Sequence, residues 1–347
     1  MYSMSVPEYL PREALPAPRV AVLVPCFNEA VAIGRVVADF KSALPYATVY
    51  VYDNNSTDDT VGVGRRAGAV VRREPLQGKG NVVRRMFADV EADVYVLVDG
   101  DGTYDAAAAP ALIERLLHDE LDMVTGARVA DSSSAYRIGH RFGNRALTGV
   151  VANIFGNRCS DMLSGYRVLS RRFVKSFPAL AQGFEIETEL TVHALELRMP
   201  IADVSTRYRN RETGSASKLH TVRDGMRIAR TIVKIVKEER PLQFFTLVAL
   251  VLLLTALTLG YPLLLTYIDT GQVPRFPTAI LATGLMIMAF LSFTGGVILD
   301  SIANGRREFR RLRYLDIPLF RSERAPDPAA QQPRNGGSDA QRLTPRV

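Results

Sequence analysis

Asp99-Gly100-Asp101 closes the apolar run Val94-Tyr95-Val96-Leu97-Val98, so a strand with the composition of a buried one delivers two carboxylates to a single loop. Carboxylates two apart on a turn can both face a hard divalent cation such as Mg²⁺ or Mn²⁺, which takes oxygen ligands and completes its shell with substrate phosphates. A solvated acidic turn has the same spelling, and the company the motif keeps separates the two. Pro25-Cys26-Phe27-Asn28-Glu29 follows the apolar residues 20–24, and Asp53-Asn54-Asn55-Ser56 follows the run 48–52. Three polar loops thus begin where a strand stops.

The elements that must hold these loops show in the periodicity. Short β-branched runs at 20–24, 48–52, 69–72, 94–98 and 123–125 alternate with helix-spaced segments at 31–44, 58–67, 81–90 and 106–117. This βαβα rhythm predicts an α/β fold with a largely parallel sheet, whose ligands bind at the carboxyl ends of the strands. Further on, 141–155 and 185–197 have helical spacing, while 165–169 and 201–208 read as strands. Glu185, Glu187 and Glu189 recur two apart, which at helical pitch spreads them over different faces, so they are read as structural.

Residues 242–268 and 276–299 carry no charged side chain, and each exceeds the roughly 20 apolar residues needed to cross a bilayer. Lys234, Lys237 and Arg240 precede the first, and Arg306, Arg307, Arg310, Arg311 and Arg313 follow the second. The positive-inside bias therefore predicts an inner-membrane hairpin with the large N-terminal part and both termini on the cytoplasmic side. Residues 1–18 lack the apolar core of a signal peptide. Within 221–240, the basic residues Arg223, Arg227, Arg230, Lys234 and Lys237 gather on one arc at about 100° per residue, as in a helix lying in the headgroup layer. The net charge of +7 is then spent largely beside the membrane, which favours anionic lipid over nucleic acid as the partner. Cys26 and Cys159 form no C-x-x-C, and the four histidines are scattered, which argues against a disulfide framework or a zinc site. The tail beyond Ser322 has the composition of a disordered segment.

Taken in order, Pro25 to Glu29, Asp53 to Asp58, Gly78-Lys79-Gly80 and Asp99-Gly100-Asp101 resemble the family 2 glycosyltransferases, whose GT-A domain is a Rossmann-like nucleotide-sugar fold. Rival phosphate motifs fail: Gly62-Val63-Gly64-Arg65-Arg66-Ala67 lies inside a helix pattern, and Gly78-Lys79 lacks the rest of a P-loop. Ser160 to Arg167, the Gly214-Ser215-Ala216-Ser217-Lys218 segment and the two C-terminal apolar stretches are similar to polyprenyl-phosphate glycosyltransferases related to dolichyl-phosphate-mannose synthase. The resemblance is strongest to their two-span bacterial glucosyltransferase branch. It implies a division into an extension at 1–18, a GT-A domain at 19–220, an amphipathic juxtamembrane helix at 221–240, two transmembrane helices within 241–303 and a basic, then disordered tail at 304–347.

The same resemblance implies that Pro25, Asn28, Glu29, Asp53, Asn55 and Lys79 serve the nucleotide-sugar, with Asp53 on the base and Lys79 near the phosphates. Asp99 and Asp101 would hold the donor diphosphate through Mg²⁺ or Mn²⁺. The residue matching Asp161 is the branch's proposed general base. A lipid monophosphate has a second pKa of about 6 and needs little deprotonation at pH 7, so Asp161 is either that base or a group that orients Arg167 or the donor sugar. Arg128, Arg137, Arg141 and Lys218 are the candidates for the acceptor phosphate, Arg128 first, because the family has an arginine at that point.

The expected reaction is inverting transfer of a hexose from a nucleotide-sugar to undecaprenyl phosphate. UDP-glucose is favoured by the branch, with UDP-N-acetylhexosamine and GDP-mannose open, and a homo-oligomer, for example a tetramer, is expected. A processive polysaccharide synthase would need a Q-x-x-R-W element, and the chain has no tryptophan. A non-catalytic scaffold would have lost carboxylates that are present here.

Overall fold

The computed structural model describes residues 17–130, 161–183, 185–209 and 240–320, together with helical positions 149, 230, 233, 237 and 238. Arg137, Arg141, Lys218, the 141–155 segment apart from position 149, nearly all of the 223–237 arc and the tail beyond 320 lie outside the described residues.

Val20, Val22 and Val24 of the first strand pack on one face of a sheet, and the intervening Ala21 and Leu23 pack on the other. A strand buried on both sides must be apolar at every position, which is why β1 reads as a continuous run rather than an alternation. The chain then runs β1 (Val20–Cys26), α1 (Ile33–Ala43), β2 (Thr48–Asp53), α2 (Thr60–Arg66), β3 (Val70–Arg73), α3 (Lys79–Asp89) and β4 (Val94–Leu97). A 3₁₀ turn at Ala106–Ala108 leads into α4 (Ala109–His118). β5 (Met123–Ala130), β6 (Arg167–Ser170), α5 (Arg171–Ser176), α6 (Ile186–Glu196) and β7 (Ile201–Tyr208) complete the sheet domain.

The seven strands are ordered β3-β2-β1-β4-β6-β5-β7. β1 runs parallel to both β2 and β4, so the chain winds outward through β2 and β3 and then returns to the other side of β1. That reversal is a topological switch point, and α/β sheets bind ligands outside the carboxyl ends of the strands at such a point. β6 is the antiparallel member, inserted between β4 and β5, and β5 pairs in parallel with β7 over eight residues. Ile33, Phe40 and Leu112 cover one face of the sheet, and Met86, Phe173 and Leu190 cover the other.

The short helix α5 has no counterpart in the periodicity. Six residues are too few to show one, and its visible signal is the N-cap Ser170, whose hydroxyl accepts from the amide of Phe173 at 3.1 Å. Beneath it, His193 of α6 lies edge-on to Phe173 and Phe177, with ring centroids 5.4 and 5.3 Å apart, and contacts Ser176 at 3.2 Å. Burial, with the charge of Arg310 second, pushes its pKa down from 6.5 to about 3. The unfolded chain therefore takes up a proton below pH 6.5 that the native state refuses, and stability is lost as pH falls from 6.5 toward 3. The expected slope from this group is about 1.4 kcal/mol per pH unit. Urea midpoints at pH 7 and pH 5 should show it, and His193→Leu should flatten it.

α7 (Pro241–Thr270) and α8 (Phe276–Leu315) form an antiparallel pair, each long and apolar enough to cross a membrane. Only 11% of each apolar window is buried inside the protein, so their side chains face outward rather than fill a core. Small residues line the contact between them. Ala249, Ala256 and Ala289 are buried, and a β-carbon on Gly296 would stand 2.8 Å from Phe245 Cβ. Gly271, at φ +65°, ends α7 with its amide on the Tyr267 carbonyl. α8 continues sixteen residues past Leu299, where the apolar stretch stops. Loss of hydropathy ends a membrane-crossing segment without ending a helix, and the Arg, Glu and Leu that follow are good helix formers.

Candidate active site

Two loops that end on adjacent strands are tied together before any ligand is considered. Asn28 and Asn55 both sit at positive φ, 53° and 66°, a conformation that Asn tolerates better than most residues. The Asn28 side-chain oxygen accepts from the Thr57 amide at 2.7 Å, and its own amide donates to Ser56 Oγ at 2.8 Å. The Glu29 amide donates to Thr60 Oγ1 at 2.9 Å. Asn54, buried, donates to the carbonyls of Glu74 and Leu76 and accepts from the Gly78 amide at 2.7 Å, while Asn55 donates to the Pro75 carbonyl at 2.8 Å. The ends of β1 and β2 and the lead-in to α3 are therefore one rigid rim. Asp53 sits fully buried within it: its Oδ1 accepts from the Ser56 amide at 3.2 Å, and its Oδ2 has an ion contact with Arg73 at 3.6 Å and no hydrogen bond among the described residues. Pro25, half-buried near the end of β1, is in register with Tyr52.

The Gly78-Lys79-Gly80 segment starts α3 hard against the 177–183 loop. Gly78 has φ +130°, and a β-carbon there would lie 2.2 Å from the Gln182 carbonyl oxygen. One on Gly80 would lie 2.2 Å from that of Ala181. Any other residue at either position would push the two backbones apart. Glu189 fixes the far side of this contact, its carboxylate accepting from the amides of Leu180 and Ala181 at 2.9 and 2.7 Å.

So placed, Lys79 reaches two carboxylates at once. Its ammonium pairs with Asp99, at the end of β4, and with Glu187, in the first turn of α6. Burial alone would lower the Lys79 pKa, but Asp99 and Glu187 outweigh it and hold the ammonium charged. Burial pushes the Glu187 carboxyl up against the pull of Lys79, and its Oε2 has no hydrogen-bond partner among the described residues. The spacing of Glu187 to Glu185 and Glu189 points to a structural role, and the structure corrects that. The signal that separates it lies within its own helix, where Leu190, Thr191 and Ala194 mark the same face as buried. A charge on such a face needs a partner.

Asp101 is buried, and its Oδ1 accepts from the amide and the hydroxyl of Thr103 at 3.1 and 2.6 Å. Asp99 is nearly a third exposed, and Gly165 approaches it so closely that a β-carbon would stand 2.3 Å from its carboxylate. The 161–165 loop is thus packed onto the Asp99-Gly100-Asp101 turn, and Arg167 holds it there. Arg167 is fully buried and donates to the carbonyls of Met162, Ser164 and Glu187 at 2.8, 3.1 and 3.0 Å.

Asp161 opens that loop. It accepts from Arg128 Nε and Nη2 at 2.7 and 2.8 Å, a two-pronged pair, and from the Arg128 amide at 3.3 Å. Burial would raise the Asp161 pKa, yet these bonds hold it below the usual carboxylate range. Arg167 acts on Asp161 through charge, and Arg128 is its bonded partner. Arg128 lies 5.7 Å over the Tyr208 ring. Tyr208 and Tyr104, rings 5.3 Å apart, stand where both Asp99 and Arg128 act on them, and the Tyr104 hydroxyl accepts from the Gly165 amide at 2.8 Å. These two tyrosines join the carboxylate turn to the Arg128–Asp161 pair and were not singled out from sequence. Each reads there as an ordinary aromatic of a strand or loop.

Among the described residues no three His, Cys, Asp or Glu side chains converge to form a metal cage. Asp99 and Asp101 offer hard oxygen donors, and Asp99 already draws a cation, the Lys79 ammonium. A donor set of two carboxylates suits Mg²⁺ or Mn²⁺, which leave the remaining positions to water and substrate phosphate.

Comparison with known proteins agrees with this geometry. The profile described as Glycosyl transferase family 2 matches residues 21–177. Glycosyltransferase AglJ of Haloferax volcanii is 32% identical over 310 residues, covering 87% of this chain and 100% of the relative. A dolichyl-phosphate hexose transferase of the same organism is 29% identical over 221 residues, 64% of this chain and 95% of the relative. The crystal structure of Mycobacterium tuberculosis glucosyl-3-phosphoglycerate synthase in complex with Mn²⁺ and UDP-glucose superposes with a TM-score of 0.52 at 22% identity, over 63% of this chain and 78% of the other. That likeness is one of fold, the GT-A arrangement of sheet and helices. The α/β domain, its polar strand ends and these relatives together make the chain a member of glycosyltransferase family 2, an enzyme with two candidate membrane-spanning helices appended.

Proposed function

We propose that the enzyme transfers a hexose, with inversion, from a UDP-sugar to a polyprenyl phosphate at the cytoplasmic face of the membrane. The observation that carries this reading is the placement of an arginine anchored by Asp161 across two tyrosines from the Asp99-Gly100-Asp101 turn, on a chain ending in two lipid-compatible helices. A relative named as a dolichyl-phosphate hexose transferase supports a polyprenyl-phosphate acceptor, and one crystallised with UDP-glucose supports the donor class.

In this reading Asp53 serves the base, its Oδ2 accepting from a ring N–H, which uracil and guanine both carry, once the exposed Arg73 side chain that pairs with it swings away. Asp99 and Asp101 would hold a divalent ion, which would supply positive charge to the departing diphosphate. Lys79, kept charged by its two carboxylates, turns toward the phosphates as they arrive. The acceptor phosphate binds at Arg128 and its oxygen attacks the anomeric carbon from the face opposite the diphosphate. The anomeric C–O bond to that oxygen forms as the bond to the diphosphate breaks, and the diphosphate leaves with the electron pair. The two tyrosines shield this line of attack from bulk water.

Asp161, as a partner already committed to Arg128, acts here as a positioning residue. Asp161→Asn is expected to lower turnover about tenfold with the acid limb of the pH–rate profile intact. A general base would cost about 10²–10⁴-fold and remove that limb. The reading as a whole is tested with purified protein in detergent with Mn²⁺, offered UDP- and GDP-sugars with and without undecaprenyl phosphate. Transfer of label into the lipid fraction from one donor is the expected result, and donor binding with no transfer under any pairing overturns the acceptor.

A further inference from the structure

The apolar part of α8 stops near Leu299, yet the helix runs on to Leu315 and its polar extension packs against the sheet domain. Ala303, Arg307, Arg310 and Tyr314 fall along one side of it at helical pitch. Arg307 and Arg310 pair with Glu196, whose side chain is 1% exposed. Tyr314 donates its hydroxyl to the fully buried carboxylate of Asp122 at 2.7 Å, and Arg172, itself paired with Asp122, lies 4.9 Å over the Tyr314 ring. Ion pairs on an exposed helix contribute little. Here the carboxylates are buried, and a buried carboxylate stripped of its cation is strongly destabilising.

The two anchor points belong to elements that carry the site. Glu196 ends α6, and Glu187, the partner of Lys79, begins it nine residues earlier. Asp122 stands immediately before β5, and Arg128 lies six residues further along the chain. We propose that the extension of α8 is a strut, an integral part of the enzyme domain that sets the height and orientation of α6 and β5, and with them the acceptor site, above the bilayer. This rests on the reading of α8 as a span and of a lipid phosphate as acceptor. From Leu299 to Arg310 is about 16 Å of helix. A prenyl chain cannot leave the bilayer, so this length belongs to the catalytic geometry, and misplacement of reacting groups by a few ångströms is costly.

A seven-residue helical insertion between Leu299 and Ala303 lengthens the strut by about 10 Å while turning the docking side by only about 20°. The expected result in full-length protein is unchanged UDP-sugar binding, unchanged transfer to a water-soluble short-chain isoprenyl phosphate, and at least a tenfold loss of transfer to undecaprenyl phosphate in vesicles. Equal activity toward both acceptors overturns the proposal. Independently, Arg307→Gln with Arg310→Gln should lower hydrogen-exchange protection across residues 186–196 and leave β1 and β2 as they were, and unaltered protection of α6 also overturns it. If the wild-type enzyme uses neither acceptor, the acceptor reading falls, and the exchange measurement alone then supports or overturns the docking.

Discussion

Asp101→Asn lowers transfer by about 10²–10³-fold, the scale of losing one preorganised electrostatic partner of the transition state, while the protein stays folded. Asparagine has the shape of aspartate, and its amide oxygen can still accept from the Thr103 amide and hydroxyl, so the loop keeps its bonds. What is lost is the anionic charge that pairs with a divalent ion. An alanine here would be a poorer test, because it also strips Thr103 of its acceptor inside a buried turn. Two measurements decide the matter: turnover at saturating Mn²⁺, and the strengthening of UDP-sugar binding by Mn²⁺ followed by calorimetry. Wild-type turnover in Asp101→Asn, with metal-dependent binding intact, would remove Asp101 from the site.

Lys79→Gln is the second large effect, and it acts on both stability and activity. Glu187 is buried, 8% exposed at its side chain, and Lys79 is its cation. Removing one partner of a buried pair costs about 3–5 kcal/mol, because the remaining charge keeps its desolvation penalty. Asp99, nearly a third exposed, recovers hydration and contributes the smaller part. Pairing Lys79→Gln with Glu187→Gln should restore most of the lost stability, since two neutral amides can hydrogen-bond where an unpaired carboxylate could not. Activity should stay low in both variants, because the lysine charge that meets the diphosphate is gone in each. Urea unfolding and turnover on the two single variants and the double close a thermodynamic cycle. Additive stability losses would mean that the two side chains are not coupled, and Lys79 would then have to be stabilised elsewhere.

Much of this site is legible in the amino-acid sequence. A doubly covered parallel sheet demands apolar runs, and the polar residues that interrupt them fall at its carboxyl ends by necessity. Asp53, the last residue of β2, and Asp99, two residues past the end of β4, could therefore be placed at strand ends from the runs alone. β7 runs over the expected residues 201–208. The antiparallel insertion of β6 had no such signature, because a strand of four residues, Arg167–Ser170, reads alike in either direction. The second apolar helix was expected to stop where hydropathy stops, and it overran by sixteen residues because helicity and membrane partition obey different physics.

Local sequence by itself determined which residues are acidic, basic or flexible and that strands alternate with helices, since propensity and burial pattern act over a few residues. Asn28 and Asn55 are suited to positive φ wherever the chain places them. Which charges meet was decided only in three dimensions. Lys79 and Glu187 are 108 positions apart, Arg128 and Asp161 are 33 apart, and Tyr314 and Asp122 are 192 apart. No local spacing encodes such pairs. Desolvation selects them as the sheet closes, because a charge carried into the interior must find its counter-charge there, whatever its distance along the chain.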